Sequence, residues 1–270
     1  LFQFLRQQGK KRYDYIIDAY GKLESLLICL FTPAQHKIGF KKIHSSLVYS
    51  HAVKLKNVQE DALQLSIKNR FQLLEPIMGD FPKNSEVEIH LTPEEIASSR
   101  ERMDAVLGKG NQAIMLSALG SSKNKSYPFE YMARLMDTAF QTTKLPFILN
   151  YRPDQKEQID ALIDQLQPTT QKAVTKSLTP NSLRDYMATA YHCRAVVGNE
   201  GGAINIAKGL NKPIFAIFSP VIDPSGWHTE IPNQCMAVNL KTFFPNAVDY
   251  SDHRKIAKDP KKVLALYKML

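Results

Sequence analysis

Cysteine is scarce in this chain. Cys29, Cys193 and Cys235 lie far apart, with no C-x-x-C pair, which argues against a disulfide framework and against a zinc knuckle and suits a reducing cytoplasm. Long apolar runs are also missing: nothing approaches the roughly 18 residues that would suggest a membrane span. The 44% hydrophobic content is that of a soluble globular protein. Several signatures of chemistry are absent too. Without G-x-x-x-x-G-K-[ST] or G-x-G-x-x-G, a P-loop kinase and a dinucleotide-fold dehydrogenase are poorly supported, and without G-x-S-x-G so is a serine hydrolase. The seven histidines are scattered without H-E-x-x-H, and no Asp-x-Asp is present to hold a metal on a nucleotide. Metal-independent chemistry without a cofactor is therefore the expectation.

Acidic residues are outnumbered, 26 against 35 basic ones, for a formal charge of +9. That balance points to anionic partners such as nucleotides, phosphorylated glycans, nucleic acid or an acidic membrane surface. The basic residues are dispersed rather than interleaved with aromatics, which disfavours nucleic acid.

At 270 residues the chain can form two ordinary domains. Tyr13 to Ala19 reads as a buried strand, Leu23 to Phe31 as a helix, Lys37 to His44 as basic and irregular, and Glu60 to Met78 as mixed helical spacing. Thr92-Pro93-Glu94-Glu95 is a helix start, with Thr92 as cap and Pro93 in the first turn. The domain boundary is expected there, giving 1–92 and 93–270. Beyond it, apolar runs alternate with helical patterns: Ala113 to Ser117, a helix from Pro128, "PFILNY", helices over 154–167 and 181–192, "RAVVG", a glycine-led helix, then "PIFAIF". Strand and helix in alternation imply a parallel α/β sheet covered on both faces. In the helix after Pro128, Phe129, Met132, Met136, Ala139 and Phe140 share the face that would cover it.

Ligands of such sheets collect at the carboxyl ends of the strands, where helix N-termini present free N–H groups. Two loops fall there. "LGSSKNKSYP" combines Gly120, Ser121, Ser122, Lys123 and Lys125: hydroxyls and N–H groups to donate and a lysine to neutralise suit a diphosphate, although an ordinary solvated loop has the same composition. "GNEGGAIN" places Gly201 and Gly202 where the backbone can turn tightly and approach a ligand. Glu200 there could accept from sugar or ribose hydroxyls, or simply cap the helix through its dipole.

Together these segments resemble glycosyltransferase family 9, the ADP-heptose:lipopolysaccharide heptosyltransferases, over nearly the whole chain. In "VVGNEGGAINIAKGLNKPIFAIFSPVIDPSGW", Gly198, Asn199, Gly202, Lys212, Pro213, Pro220, Asp223, Pro224 and Trp227 match the family pattern in order. "LGSSKNKSYPFEYMARLM" is similar to its Lys-containing loop and following helix, and "YDYIIDAYGKLESLLICLF" with "KIGF" to its acceptor half. Glu200, Gly201 and Asn205 stand where the family usually has Asp, Thr and His, and Glu24 where it often has a basic residue.

The resemblance implies a GT-B fold of two Rossmann-like domains with parallel sheets, an acceptor-side one in 1–92 and a donor-binding one in 93–270. It implies transfer of a sugar, heptose from ADP-heptose, to the lipopolysaccharide inner core with inversion. Lys125 would contact the donor phosphates, with Ser121, Ser122, Glu200, Gly201, Gly202 and Asn205 as further donor-site residues and Asp18 and Lys22 on the acceptor side. The family begins with a strand and a glycine-containing loop that supplies a carboxylate base. The resemblance starts after that region, so the N-terminal domain is expected to be truncated and no base is assigned. The location implied is the cytoplasm of a Gram-negative bacterium, with peripheral contact to the anionic inner membrane. A noncatalytic nucleotide-sugar-binding module of the same fold is the alternative, and an unrelated Rossmann-type oxidoreductase a weaker one.

Overall fold

A computed structural model of the chain describes residues 2–43, 47–56, 65–79, 87–224, 228, 231–248 and 256–270. Contacts divide it into two compact units, residues 1–85 with 225–229 and residues 86–224 with 230–270.

The first unit runs α1 (Phe2–Gln8), β1 (Tyr13–Asp18), α2 (Leu23–Phe31), β2 (Ala34–Phe40), β3 (His51–Val53), α3 (Leu65–Phe71) and α4 (Glu75–Met78). The three strands form a parallel sheet in chain order, with Tyr13 opposite Ala34 and Ile38 opposite His51. β1 and α2 fall where the sequence places them, but β1, read as a buried strand, is largely exposed: Tyr13, Tyr15 and Ile17 face solvent and only Asp18 is buried. Lys37 to His44, read as irregular, is instead strand as far as Phe40, and His44 lies outside the described residues. β2 is the central strand: it pairs on both sides and buries Ile38 and Gly39, which outweighs the polar side chains of Gln35, His36 and Lys37. Of the expected helical stretch from Glu60 to Met78, residues 60–64 lie outside the described part. The rest is helical, interrupted by a 3₁₀ turn at Gln72–Leu74. There the fully buried Gln72 clamps the Lys56 backbone, accepting from its N–H at 2.7 Å and donating to its carbonyl at 3.1 Å.

The second unit runs α5 (Pro93–Leu107), β4 (Ile114–Ser117), α6 (Phe129–Thr143), β5 (Phe147–Leu149), α7 (Lys156–Ile163), α8 (Pro168–Lys172), α9 (Leu183–His192), β6 (Ala195–Asn199), α10 (Gly202–Gly209), β7 (Ile214–Ile217), β8 (Cys235–Val238), α11 (Leu240–Phe243) and α12 (Pro260–Tyr267). Its five strands are all parallel, in the order β5-β4-β6-β7-β8. Thr92 caps α5 in a reciprocal box with Glu95, as its sequence signature predicts. The helical pattern over 154–167 is a 3₁₀ turn followed by α7, which ends at Ile163; beyond the pattern the short α8 starts on Pro168, where proline suits a first helical turn. Segment 87–91 packs with this unit: the Ile89 N–H donates to the Gly209 carbonyl at 2.7 Å.

Alternation sorts the strand side chains onto two faces. Met115, Val196, Ile214 and Ala216 pack with residues of α5, α9 and α10, while Ile114, Leu116, Phe147 and Leu149 pack with α6 and α7. Met132 and Met136 of α6 are buried, as the helix pattern requires. Two ion pairs, Arg102 with Asp185 and Arg184 with Glu95, tie α5 to α9. α12 closes a third apolar cluster, with Val221, Leu240 and Val248. Among the described residues no helix is long and apolar enough to cross a membrane.

Candidate nucleotide-sugar site

The sheet order of the second unit locates a site before any side chain is considered. From β4 the chain moves outward to β5, then returns to lay β6 on the other side of β4. Loops leaving β4 and β6 therefore diverge at a topological switch point, the crevice where open α/β sheets take ligands. Those two loops are 118–128 and 200–201, the pair that the sequence singled out.

Close backbone approach and one buried amide hold them together. Gly198 pairs with Ser117 across the two strands at φ 147°, and a Cβ there would overlap the Ser117 carbonyl. Only glycine meets both requirements. Asn199 ends β6 fully buried: its Oδ1 accepts from the Tyr127 N–H at 2.7 Å, and its Nδ2 donates to the Ala118 carbonyl at 2.6 Å. The loop after β4 is thus pinned at both ends to the strand that carries the second loop. Within it, Ser126 Oγ accepts from the Gly120 N–H at 2.9 Å and donates to the Ser122 carbonyl at 3.0 Å. Gly120 lies so close to the Lys125 carbonyl that a Cβ would overlap it. Ser219 donates to the Asn124 carbonyl at 3.0 Å, and Asn124 reaches the Ala257 carbonyl at 2.7 Å. A loop crossed by so many bonds is not an ordinary solvated connection: it is a fixed platform that leaves Ser121, Ser122, Lys123 and Lys125 exposed.

Beside it, Gly201 stands at the N-cap of α10, which therefore has no side-chain cap. Glu200 therefore does not cap the helix by a hydrogen bond. A Cβ on Gly201 or Gly202 would meet nothing within 4 Å, so open space lies directly before the free N–H groups of the first turn. Asn205 sits one turn in, half-buried, its N–H donating to the Gly201 carbonyl at 3.1 Å. Glu200 is half-buried, and among the described residues its carboxylate accepts no hydrogen bond. Burial pushes its pKa above the usual carboxylate value, opposed by the positive charges of Lys125 and Lys208. Lys208 is in turn held down by burial, with Cys235 and Glu200 pulling the other way. An anion-attracting helix end, exposed lysines and a carboxylate with spare acceptor capacity meet at one place. That set suits a ligand with both phosphate and hydroxyl groups.

The first unit shows a different use of its candidates. Asp18 is buried at the end of β1, and its Oδ1 accepts from the N–H groups of Tyr20 at 2.9 Å and Gly21 at 2.8 Å. Its Oδ2 accepts from the Tyr49 hydroxyl at 2.6 Å, which reaches it over Gly39, where a Cβ would overlap the Tyr49 ring. Burial raises the Asp18 pKa, but these four-fold attentions outweigh it and leave the carboxyl below its ordinary value: the Gly21 N–H, then the Tyr49 and Ser25 hydroxyls, then the Tyr20 N–H. Asp18 organises the loop, and Lys22, exposed over the Tyr20 ring at 4.4 Å, is what the loop presents.

Asn199, Ser126 and Ser219, which build the platform, had no role in the reading of the sequence. A polar amide between "VVG" and "GG" is the signal that was present for the first, since an Asn at the buried end of a strand must have partners. Trp227 lies outside the described residues. Among those described, no group of three or more His, Cys, Asp or Glu side chains is gathered as a metal site.

A family profile matches residues 1–240: glycosyltransferase family 9 (heptosyltransferase). The chain belongs to that family of transfer enzymes, and its fold is the α/β GT-B class of its structural neighbours. One neighbour is a glycosyl transferase of family 9 from Veillonella parvula, at TM-score 0.75 and 15% identity, over 99% of this chain and 76% of that one. ADP-heptose lps heptosyltransferase II of E. coli gives 0.65 and 17%, over 99% and 79%. The E. coli heptosyltransferase WaaC with ADP-2-deoxy-2-fluoro heptose gives 0.59 and 17%, over 88% and 69%. Comparison with curated protein sequences finds no match.

Proposed function

We propose that this chain transfers heptose from ADP-heptose to the lipopolysaccharide inner core, with inversion and without a metal ion. The observation that carries the reading is the pinned pair of loops at the β4/β6 switch point, which sets Lys125, Glu200 and the uncapped start of α10 around open space. Support for the donor comes from the two E. coli neighbours, whose own descriptions name ADP-heptose and an ADP-linked fluoroheptose. In the proposed reaction a base removes the proton of the acceptor hydroxyl, whose oxygen attacks the anomeric carbon from the face opposite the diphosphate. The bond from that carbon to the diphosphate oxygen breaks, and its electron pair leaves with ADP. Lys125 and the N–H groups of α10 stabilise the charge that develops there, while Ser121 and Ser122 donate to phosphate oxygens. Glu200 and Asn205 hold sugar hydroxyls, in the space that Gly201 and Gly202 leave open. Lys22 serves the acceptor side, on a loop organised by Asp18. The enzyme works in the cytoplasm against the anionic inner membrane of a Gram-negative cell, with no nucleic-acid partner.

Calorimetric titration with ADP, UDP, GDP and NAD tests the donor site. ADP is expected to bind selectively, and Lys125→Ala to weaken it about 10- to 100-fold, the range for losing a charged hydrogen bond. Nucleotide binding that is absent, or unmoved by Lys125→Ala, refutes the assignment. Selective ADP binding without transfer to a lipopolysaccharide acceptor would instead assign the chain as a nucleotide-sugar-binding module.

A further inference from the structure

Two different parts of the chain hold the loop that carries Lys125. The sheet side grips its backbone: Asn199 accepts from the Tyr127 N–H at 2.7 Å, and Ser219 donates to the Asn124 carbonyl at 3.0 Å. The C-terminal segment 256–267 grips the side chains of the same two residues. Asn124 Nδ2 donates to the Ala257 carbonyl at 2.7 Å, across 133 positions of sequence. The Tyr127 ring meets the Tyr267 ring edge-on, with centroids 5.8 Å apart. Asn124 and Tyr127 flank Lys125, which is itself exposed. The segment is firm enough to serve as a support. Asp259 caps α12 by accepting from the Lys261 and Lys262 N–H groups, both at 3.1 Å, and Pro260 opens its first turn. Val263, Leu266 and Tyr267 are buried in one cluster with Val221 and Leu240. The whole segment lies beyond residue 240, where the family match ends.

A residue held by one backbone bond still pivots about it, and a second hold on its side chain removes the pivot. Lys125 needs that restraint, because a flexible side chain on a rocking turn gives up more entropy each time its ammonium settles on a phosphate oxygen. Ordinary core packing would account for the Tyr267 ring alone. It does not account for Asn124, a half-buried loop side chain whose amide crosses to the backbone just before α12. The Tyr267 hydroxyl makes no hydrogen bond among the described residues, since Ser219 beside it gives its proton to Asn124, so Tyr267 acts through its ring. We infer that segment 256–267 positions Lys125 for the donor diphosphate, with Asn124 and Tyr267 as positioning residues, so that docking of α12 and binding of a nucleoside diphosphate favour each other. The inference rests on the proposed donor site and adds to it an element that the family match leaves out.

Calorimetric titration of the full chain with ADP tests it, with thermal melts to show that each variant is folded. Asn124→Ala should weaken ADP about 3- to 10-fold, the range of one lost hydrogen bond. Tyr267→Ala should weaken it about 10-fold, because loss of a buried ring loosens α12, whereas Tyr267→Phe keeps the ring and should stay within about twofold of wild type. Asn124→Ala should add nothing in a Lys125→Ala background, since it acts through that lysine. Coupling is reciprocal, so saturating ADP should slow amide exchange across Val263 to Tyr267 by about the factor that loosening α12 costs ADP, roughly tenfold. Asn124→Ala and Tyr267→Ala variants that fold and bind ADP like wild type overturn the inference, while a loss on Lys125→Ala still keeps the donor site. Additive losses in the double variant overturn it too, because they give Asn124 a contact of its own. A Tyr267→Ala variant that does not fold leaves the decision to Asn124→Ala and to the exchange rates: exchange unchanged by ADP refutes the coupling. Wild type that binds no ADP, or a Lys125→Ala variant that binds it unchanged, removes the donor site and this inference with it.

Discussion

Asn199→Ala removes a side chain that ties the loop after β4 to the end of β6, and its cost can be worked out from its two bonds. The Ala118 carbonyl, in a fully buried residue, loses the amide donor at 2.6 Å. Left unpaired it costs about 1–3 kcal/mol. The Tyr127 N–H loses its acceptor at 2.7 Å, but Tyr127 is only half-buried. Water can reach that group, so about 1 kcal/mol is the fitting share. The sum is about 2–4 kcal/mol, which in a unit of this size lowers Tm by roughly 5–15 °C. Asn199→Asp keeps the acceptor for Tyr127 yet sets an oxygen against the Ala118 carbonyl, so at neutral pH it should do no better than alanine. Urea titration and thermal melts measure both variants, and calorimetry should find ADP affinity reduced in each, because the platform is no longer held to β6. A cost below about 0.5 kcal/mol for Asn199→Ala would refute the reasoning, since the donor to a buried carbonyl cannot be that dispensable.

Two further substitutions probe the same region. Gly198→Ala must part β4 from β6, because its Cβ would overlap Ser117 backbone and the residue sits at φ 147°; a loss of about 3 kcal/mol or more in urea titration is expected, and tolerance would refute the close approach. Glu200 has a folded pKa raised by burial, so the folded state binds the proton better than the unfolded chain, and wild-type stability falls as pH rises from its ordinary value of 4.5 through the folded one. Glu200→Gln escapes that loss: its melting temperature should exceed that of the ligand-free wild type at neutral pH, with the difference vanishing in acid, while affinity for a nucleotide sugar falls. A variant less stable than wild type at neutral pH would show that the Lys125 and Lys208 charges outweigh the burial.

The elements were largely written in local patterns. Period-3.6 spacing marked α6, whose Met132 and Met136 are buried, and Thr92 with Glu95 marked the start of α5. Short apolar runs marked β1, β4, β6 and β7. These signals survive in one dimension because each reflects a face that must be buried or a terminus that must be capped. β2 and β3 carried no such signal. The polar side chains of Gln35, His36 and Lys37 suit an irregular segment and β3 is only three residues long; both are strands because neighbours pair with their backbones. β8, from Cys235 to Val238, is apolar but went unmarked as a short edge strand whose Met236 is exposed.

The composition of both site loops was legible, and so was the family, whose motifs keep their order and spacing. Whether those loops belong together was not. The sequence holds them some 70 residues apart, and only the order β5-β4-β6-β7-β8 makes their strands neighbours. Asn199 then turns adjacency into a fixed platform, through partners that no spacing rule connects. Asp18 shows the same division: the family resemblance set it on the acceptor side, and the fold turns its carboxylate inward at the end of β1 to organise the loop that follows. Residue chemistry is local and can be read from the chain, whereas a hydrogen bond needs its two groups within about 3 Å, and that distance is settled only when the sheet has chosen its order.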